Sequence, residues 1–257
     1  MEAVERQRQI LLRARTNGRV EVGALAMDLR VAPETVRRDL KQLADRGVVQ
    51  RVHGGAYPVE SAGFESGLPH RTTSMIAEKR RIAAAAVSRL EGAESVYIDE
   101  GVTPQFVAEA LAESVPPGES LTVVTSSLLA AGALAKASNV TVILLGGRVR
   151  GRTMATVDNW AIRMLSEFVI DLAYLGANGI SREHGLTTPD PAVAAVKGQV
   201  VARARRKAFV GLHRKFGVAS FCRFADIEDF EVLITDTGLS SHEAHRYSLL
   251  GPQVIRA

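Results

Sequence analysis

Apolar side chains recur at helical spacing in three stretches near the start of the chain. Residues 4–17, 22–29 and 33–45 each place apolar residues on one face, and the third begins at Pro33, which is preorganised for a first helical position. Residues 48–53 then alternate between apolar and polar types before a glycine pair, which predicts a short hairpin or wing. Three helices and a wing at this spacing predict a winged helix-turn-helix.

The pattern changes from residue 78 onward, where short apolar runs alternate with helical segments. Such alternation predicts an α/β fold, an open and mostly parallel sheet covered by helices on both faces. The predicted strands are 95–99, 121–125, 140–145, 171–176, 208–212, 232–235 and 253–255.

Between these patterns, residues 58–77 contain several prolines and glycines and little periodicity, which predicts a linker. We therefore expect a winged helix-turn-helix domain at 1–57 and a larger α/β domain at 78–257.

The charge of the chain is distributed unevenly between these domains. The 257 residues carry a formal charge of +4, and residues 1–58 hold 11 basic and 7 acidic side chains, whereas the remainder holds 21 of each. A localised excess is expected when a small domain meets a polyanion. The distribution excludes a uniformly basic coat protein and indicates double-stranded DNA as the partner of the first domain.

Several classes of protein are disfavoured by the remaining composition. The longest apolar runs fall well short of the roughly 20 residues that a membrane span needs, and the first residues do not resemble a secretory signal. The single cysteine, Cys222, has no partner for a disulfide or a Cys/His metal site, and we interpret it as a packing residue. We expect a cytoplasmic protein without a membrane partner, metal or cofactor.

The predicted third helix carries the candidate DNA contacts. The second helix of a helix-turn-helix lies in the major groove, where arginine can bond a guanine edge with two donors. The plainer alternative is a solvated face on which Arg38 and Asp39 form a weak surface pair. The local charge excess favours DNA contact. The candidates are Glu34, Thr35, Arg37, Arg38 and Lys41 on the helix, and Arg51 and His53 on the wing.

Polar residues and glycines follow the predicted strands of the second domain. Ligands of open parallel sheets bind beyond the carboxyl ends of the strands, and backbone N–H groups at glycines and helix starts bind anions. We expect a small phosphorylated polyol there, although such residues can also serve only in turns and caps. The candidates are Asp99, Glu100, Gly101, Thr103, Thr125, Ser126, Ser127, Gly146, Gly147, Arg148, Asn178, Arg214 and Lys215.

The residues at 31–40, followed by the segment 52–56 with its glycine pair, closely resemble the DNA-binding domain of DeoR-type transcriptional regulators. The resemblance continues through 78–83, 99–103, 124–127, 176–181 and 215–217, so it covers nearly the full chain. It implies a sensor domain with a ribose-5-phosphate isomerase-type fold that binds a sugar phosphate, and it adds Lys197 to the candidate effector contacts. It also implies a repressor of sugar-metabolism genes.

The chain departs from the family pattern at several positions. Ala32 stands where a serine usually caps the recognition helix, Val193 where a glutamate is common, and Leu212 where an aspartate is common. Arg214 adds a cation. Because two acids are lost and a cation is gained, we expect a pocket that accepts a ligand with more negative charge or fewer recognised hydroxyls than the family's ordinary monophosphates, with Arg148, Arg150, Arg152, Arg214 and Lys215 nearby.

Two other functions are weaker alternatives. A sugar-phosphate isomerase with an appended DNA-binding module would need a base beside the substrate carbonyl, for which Asp99, Glu100 and Asp236 are candidates. A metal or redox sensor would have to use His242 and His245, whose spacing is more typical of surface residues. Because helix-turn-helix proteins act on paired half-sites, we expect a homodimer or homotetramer. The apolar helix containing Ile82 could form its interface or be buried in the monomer.

Overall fold

The computed structural model describes residues 2–17, 19–46, 48–52, 54–58, 68–116 and 119–257. The chain divides into two compact units, Met1–Ser74 and Met75–Ala257. Part of the expected linker, 59–67, lies outside the described residues, and another part forms a short helix, α4 (Leu68–Thr73).

Three of the helices in the first unit surround a small apolar core, beside a three-stranded antiparallel sheet in the order β1-β3-β2. Ile10, Leu25, Val36, Leu40 and Leu43 are buried in this core, which explains the helical spacing of apolar residues. The elements are α1 (Ala3–Asn17), β1 (Val20–Glu21), α2 (Val22–Leu29), α3 (Pro33–Asp45), β2 (Val49–Val52) and β3 (Gly55–Pro58).

A tight turn joins α2 to α3. Arg30 adopts a left-handed conformation with φ +52°, which ends α2. Ala32 occupies the position before α3 without a capping side chain, and its carbonyl accepts a hydrogen bond from Thr35 N–H at 2.9 Å. Pro33 begins the helix, as expected for a residue without an N–H to satisfy.

The second unit is the α/β domain that the sequence predicts. Its helices are α5 (Ile76–Val87), α6 (Val102–Ser114), α7 (Leu128–Leu134), α8 (Asn159–Ser166), α9 (Pro191–Arg203) and α10 (Ser241–Ser248). Its strands are β4 (Ser95–Ile98), β5 (Leu121–Thr125), β6 (Val140–Leu144), β7 (Arg148–Arg150), β8 (Ala155–Val157), β9 (Ile170–Leu175), β10 (Gly179–Ser181), β11 (Gly185–Thr188), β12 (Ala204–Val210), β13 (Cys222–Ala225), β14 (Val232–Thr235) and β15 (Gln253–Arg256).

Seven strands form one sheet in the order β15-β14-β12-β9-β4-β5-β6, and every pair in it is parallel. Successive residues of a strand point to opposite faces. On β4, Val96 and Ile98 therefore enter one core with α5, α6 and α7, whereas Tyr97 enters a second core with α8, α9 and α10. The prediction of an α/β fold with helices on both faces is confirmed.

The apolar helix that could have formed an interface is α5. Its residues Ile82, Ala83 and Ala86 are buried in the core of the same chain, where they pack on the sheet. The structure thus favours the alternative in which this face is buried in the monomer.

Two small antiparallel sheets were not predicted from the sequence. One is the hairpin β7–β8, and the other has the order β10-β11-β13. The hairpin matters for the site, because β8 is fully buried and carries Thr156 and Val157 to the edge of the main sheet.

Candidate functional site

Helix α3 presents its candidate DNA contacts on the side opposite to the core. Val36, Leu40 and Leu43 are buried, whereas the charged candidates on the helix are exposed. The exposed candidates are Glu34, Arg37, Arg38 and Lys41, and Thr35 is half-buried.

The arginines of this surface differ in their pairing. Arg37 donates to Glu34 at 2.9 Å, one turn earlier on the helix. Within the described part of the chain, Arg38 forms no side-chain hydrogen bond or ion pair, so its guanidinium is free to meet a base or a phosphate. Arg51 of the wing is exposed and shares a groove with Arg37, lined also by Leu40 and Gly54. His53 lies outside the described residues.

Asp39 does not form the surface pair with Arg38 that the plainer interpretation assumed. Its side chain is buried and turns toward α1, where Arg6 Nε donates to Oδ2 at 2.5 Å and Gln7 Nε2 donates to Oδ1 at 3.1 Å. The hydrogen bond to Asp39 raises the pKa of Arg6. This buried network joins α1 to the middle of α3, and it fixes the helix that carries the candidate DNA contacts.

In the second unit, several candidate effector residues lie close together at the carboxyl edge of the main sheet, where the strand order reverses. The chain runs from β4 outward to β5 and β6, and then returns to β9 on the other side of β4. Ligands of open α/β sheets bind at the carboxyl ends of such a pair of strands. Asp99 follows β4 and Gly176 follows β9, and Gly176 N–H donates to Asp99 Oδ2 at 2.8 Å.

Lys197 of α9 completes this junction. Its ammonium forms a buried ion pair with Asp99 Oδ2 and donates to the Gly176 carbonyl at 3.1 Å. Burial raises the pKa of Asp99, and the adjacent Lys197 ammonium offsets only part of that rise. The pair links α9 to the two central strands.

A small cavity opens beside this ion pair, with room for about one water-sized group. It brings together four of the predicted residues, Asp99, Glu100, Ser126 and Lys197. The other lining residues are Thr156, Val157, Val193 and Val196. Val193 was noted only as a departure from the family pattern, and Thr156 and Val157 were missed because the β7–β8 hairpin was not predicted.

Two of the predicted hydroxyl groups form hydrogen bonds with backbone groups. Thr125 Oγ1 donates to the Ile98 carbonyl at 2.7 Å and accepts from Ser127 N–H at 3.0 Å. Ser127 Oγ accepts from Ala130 N–H and caps α7. The structure therefore shows these groups in the turn and cap roles that the sequence left open. Thr103 is buried in the first turn of α6.

The glycine loops adopt conformations that other residues would disfavour. Gly101 precedes α6 with φ +108°, and Gly147 has φ +141°. A Cβ at Gly147 would lie 2.6 Å from the Val157 carbonyl oxygen. Gly146 N–H is directed at Met164 Sδ at 3.1 Å, and Asn178 Oδ1 accepts from Thr188 Oγ1 at 3.1 Å.

The expected cluster of cations is not found in the lining of the cavity. Arg150 pairs with Asp190 at 2.9 Å, and Arg148 is exposed with its Nε 3.6 Å from Asp158. Arg152 and Arg214 are exposed, and Lys215 is half-buried. Among the described residues, Lys197 is the basic side chain that lines this cavity. The geometry does not support the expectation of a pocket with excess positive charge.

The loop that carries Arg214 and Lys215 is held by Asp236. His213 N–H donates to Asp236 Oδ2 at 2.8 Å, and His213 Nδ1 lies 2.6 Å from Oδ1. Burial raises the pKa of Asp236, but its hydrogen bonds from His213 and Gly238 outweigh burial and hold the pKa below the usual range. The turn that carries the two cations is thereby held at the carboxyl end of β12.

The described helices include none that is long and apolar enough to cross a membrane. Over the same residues, no group of three or more His, Cys, Asp and Glu side chains is arranged to hold a metal ion.

Sugar-phosphate isomerases are among the solved structures that align with the chain, at low TM-scores. A D-ribose-5-phosphate isomerase in complex with phospho-erythronic acid aligns with a TM-score of 0.40 at 17% identity, covering 54% of this chain and 52% of its own. A TM-score this low supports no inference about function.

Sequence comparisons identify the family. Residues 6–62 match the DeoR-like helix-turn-helix domain, and residues 74–237 match the DeoR C terminal sensor domain. The HTH-type transcriptional regulator GlpR of Haloferax volcanii is 35% identical over 256 residues, covering 99% of this chain and 98% of its own. The glycerol-3-phosphate regulon repressor of Escherichia coli is 28% identical over 92% of both chains. The chain belongs to the DeoR family of transcriptional regulators.

Proposed function

We propose that the protein is a repressor of sugar-metabolism genes whose operator binding is controlled by a small phosphorylated sugar or a related anionic metabolite. The first unit (Met1–Ser74) is then the DNA-binding domain and the second (Met75–Ala257) the sensor domain. The name of the Escherichia coli relative, a glycerol-3-phosphate regulon repressor, supports both parts of this proposal.

The observation that carries the DNA-binding part is the exposed cationic face of α3. Arg37, Arg38 and Lys41 project from a helix whose opposite face is buried, and Arg38 has no side-chain partner among the described residues. An arginine free of intramolecular pairs can bond a guanine edge without first breaking another contact. Because helix-turn-helix regulators read paired half-sites, we propose a homodimer or homotetramer as the binding form.

Replacing Arg38 with alanine is expected to weaken operator binding by about 1 to 3 kcal/mol if the guanidinium reads a base, with relaxed specificity at that position. The operator would first be selected from a random duplex pool with the full-length protein. Fluorescence anisotropy then gives the affinity of the wild type and the variant for the selected duplex and for its single-base substitutions.

Lys136→Ala is the matched control, because it removes one exposed positive charge from the sensor domain. It should leave operator affinity nearly unchanged at the same salt concentration. Equal operator affinity and equal specificity for Arg38→Ala and wild type would exclude the proposed role of Arg38.

The effector part of the proposal places the ligand at the carboxyl edge of the sheet. The support is the position of Asp99, Glu100 and Lys197 around one cavity at the reversal of strand order. We propose a binding role and no catalysis for this cavity. The curated relatives named above are regulators, and Asp99 Oδ2 is already held by Lys197 and Gly176.

A further inference from the structure

The walls of the sensor cavity carry more acidic than basic side chains. Asp99 and Glu100 both line it, against the single ammonium of Lys197, and the exposed fractions of these residues are 1%, 8% and 3%. Lys197 is already paired with Asp99. A phosphate placed against these walls would face Glu100 across a site with little water to screen the repulsion.

The acidic wall includes an acceptor with no partner. Asp99 Oδ2 receives Lys197 and Gly176 N–H, whereas Asp99 Oδ1 is buried and has no hydrogen-bond partner in the described residues. A buried acceptor left unsatisfied is destabilising, because the loss of its water is not compensated. A hydroxyl group is a donor that can remove this cost, whereas an ionised phosphate oxygen is an acceptor and cannot.

The cations that could attract a phosphate lie outside the cavity lining. The side chain of Arg148 is 65% exposed and faces Asp158, and Arg150 is paired with Asp190. Both belong to β7, in the hairpin whose other strand supplies Thr156 and Val157 to the cavity. Of the two, Arg148 is therefore the more accessible cation beside the cavity.

The remaining walls suit a terminal carbon that bears a hydroxyl group. Val157, Val193 and Val196 provide an apolar side, and Ser126 and Thr156 provide hydroxyls. Ser126 Oγ already lies 3.0 Å from Tyr97 Oη, and Thr156 Oγ1 donates to the Leu145 carbonyl at 2.8 Å. The carboxylates are thus the main acceptors for a ligand.

We propose that this cavity receives the hydroxyl-bearing end of the effector, that Asp99 Oδ1 and Glu100 accept hydrogen bonds from its hydroxyl groups, and that its phosphate stays outside. The inference rests on the proposed function, and it assigns Glu100 as the residue that selects for hydroxyl groups. Carboxylates accept short, strong hydrogen bonds from hydroxyls, which makes this a recognition site for polyols.

The test compares wild type and Glu100→Gln by isothermal titration of the full-length protein. The probes are the phosphates of glycerol, fructose, sorbitol and galactitol, the same four compounds without phosphate, and inorganic phosphate. For the phosphorylated polyol that binds wild type best, we expect Glu100→Gln to weaken binding by about tenfold or more, because a charged acceptor is lost. Inorganic phosphate at the same concentration should not displace that compound.

The direction in which Glu100→Gln changes the ligand affinity distinguishes the two possible orientations of the ligand. If the phosphate lay against Glu100, removal of the negative charge would strengthen binding, so tighter binding by Glu100→Gln would overturn the inference and leave the proposed function standing. Unchanged affinity would overturn it as well. Failure of every polyol and phosphate to bind wild type would count against the effector part of the proposed function itself, and against this inference with it.

Glu113→Gln is the matched control, because Glu113 is exposed near the end of α6 and does not line the cavity. It makes the same chemical change and should leave every affinity in the panel unchanged. Urea denaturation followed by hydrogen exchange of sensor-domain peptides, measured for both variants, verifies that Glu100→Gln is folded and that a loss of ligand binding is local.

Discussion

Replacing Asp99 with alanine is expected to lower the free energy of unfolding of the sensor domain by about 3 to 5 kcal/mol. The substitution leaves the Lys197 ammonium buried, with the Gly176 carbonyl at 3.1 Å and the Phe224 ring, whose centroid is 5.5 Å away, as remaining contacts. Removing one partner of a buried ion pair costs more than the pair itself contributes, because the remaining charge has no water to solvate it. Urea denaturation, followed by hydrogen exchange of peptides from each domain, measures the change in the sensor domain separately.

The double variant Asp99→Leu with Lys197→Met distinguishes this cause from simple loss of packing. It removes both charges and keeps apolar volume, so it should recover most of the stability that Asp99→Ala loses. A double variant as unstable as the single one would show that the ion pair is not the source of the effect. A loss of less than about 1 kcal/mol in Asp99→Ala would contradict the assignment of a buried, unsolvated lysine.

The second large effect is expected in the DNA-binding domain, where Asp39→Ala should lower the free energy of unfolding by about 2 to 3 kcal/mol. Asp39 is 2% exposed and accepts hydrogen bonds from Arg6 and Gln7. The Arg6 side chain is 12% exposed and can regain some water, which makes the expected loss smaller than that for Asp99. The measurement is the same denaturation, read on peptides from α1 and α3.

Asp45→Ala is the control for this substitution. Asp45 is the last residue of α3 and is exposed, so the variant removes the same charge from the same helix without opening the buried network. It should change the free energy of unfolding by less than about 0.5 kcal/mol. Equal effects of the two substitutions would show that the Arg6–Asp39 contact does not stabilise the domain.

The DNA-binding domain could be predicted closely because its signals are local. The bounds of α2 and α3 follow from apolar spacing and from Pro33, and the structure places both helices at the predicted residues. The role of Asp39 could not be predicted, since its partners Arg6 and Gln7 are distant in sequence and meet it only when α1 packs against α3.

Some elements of the sensor domain could not be predicted from sequence patterns. The strands of the main sheet are apolar runs that stand out, whereas β7 and β8 have only three residues each and lack a distinctive alternation. Thr156 and Val157 were missed for that reason. The pairing of Arg150 with Asp190 could not be predicted either, because this contact depends on how the hairpin lies against α9.

The most direct test of the account is the operator affinity of the full-length protein with and without a saturating ligand of the sensor cavity. Anisotropy titrations would use the selected operator and the polyol phosphate that binds best. We predict a change in operator affinity of at least about tenfold, a coupling of about 1.4 kcal/mol. In Glu100→Gln, the ligand concentration that produces half of this change should be higher. Saturation of the cavity with unchanged operator affinity would contradict the central claim that the cavity controls DNA binding.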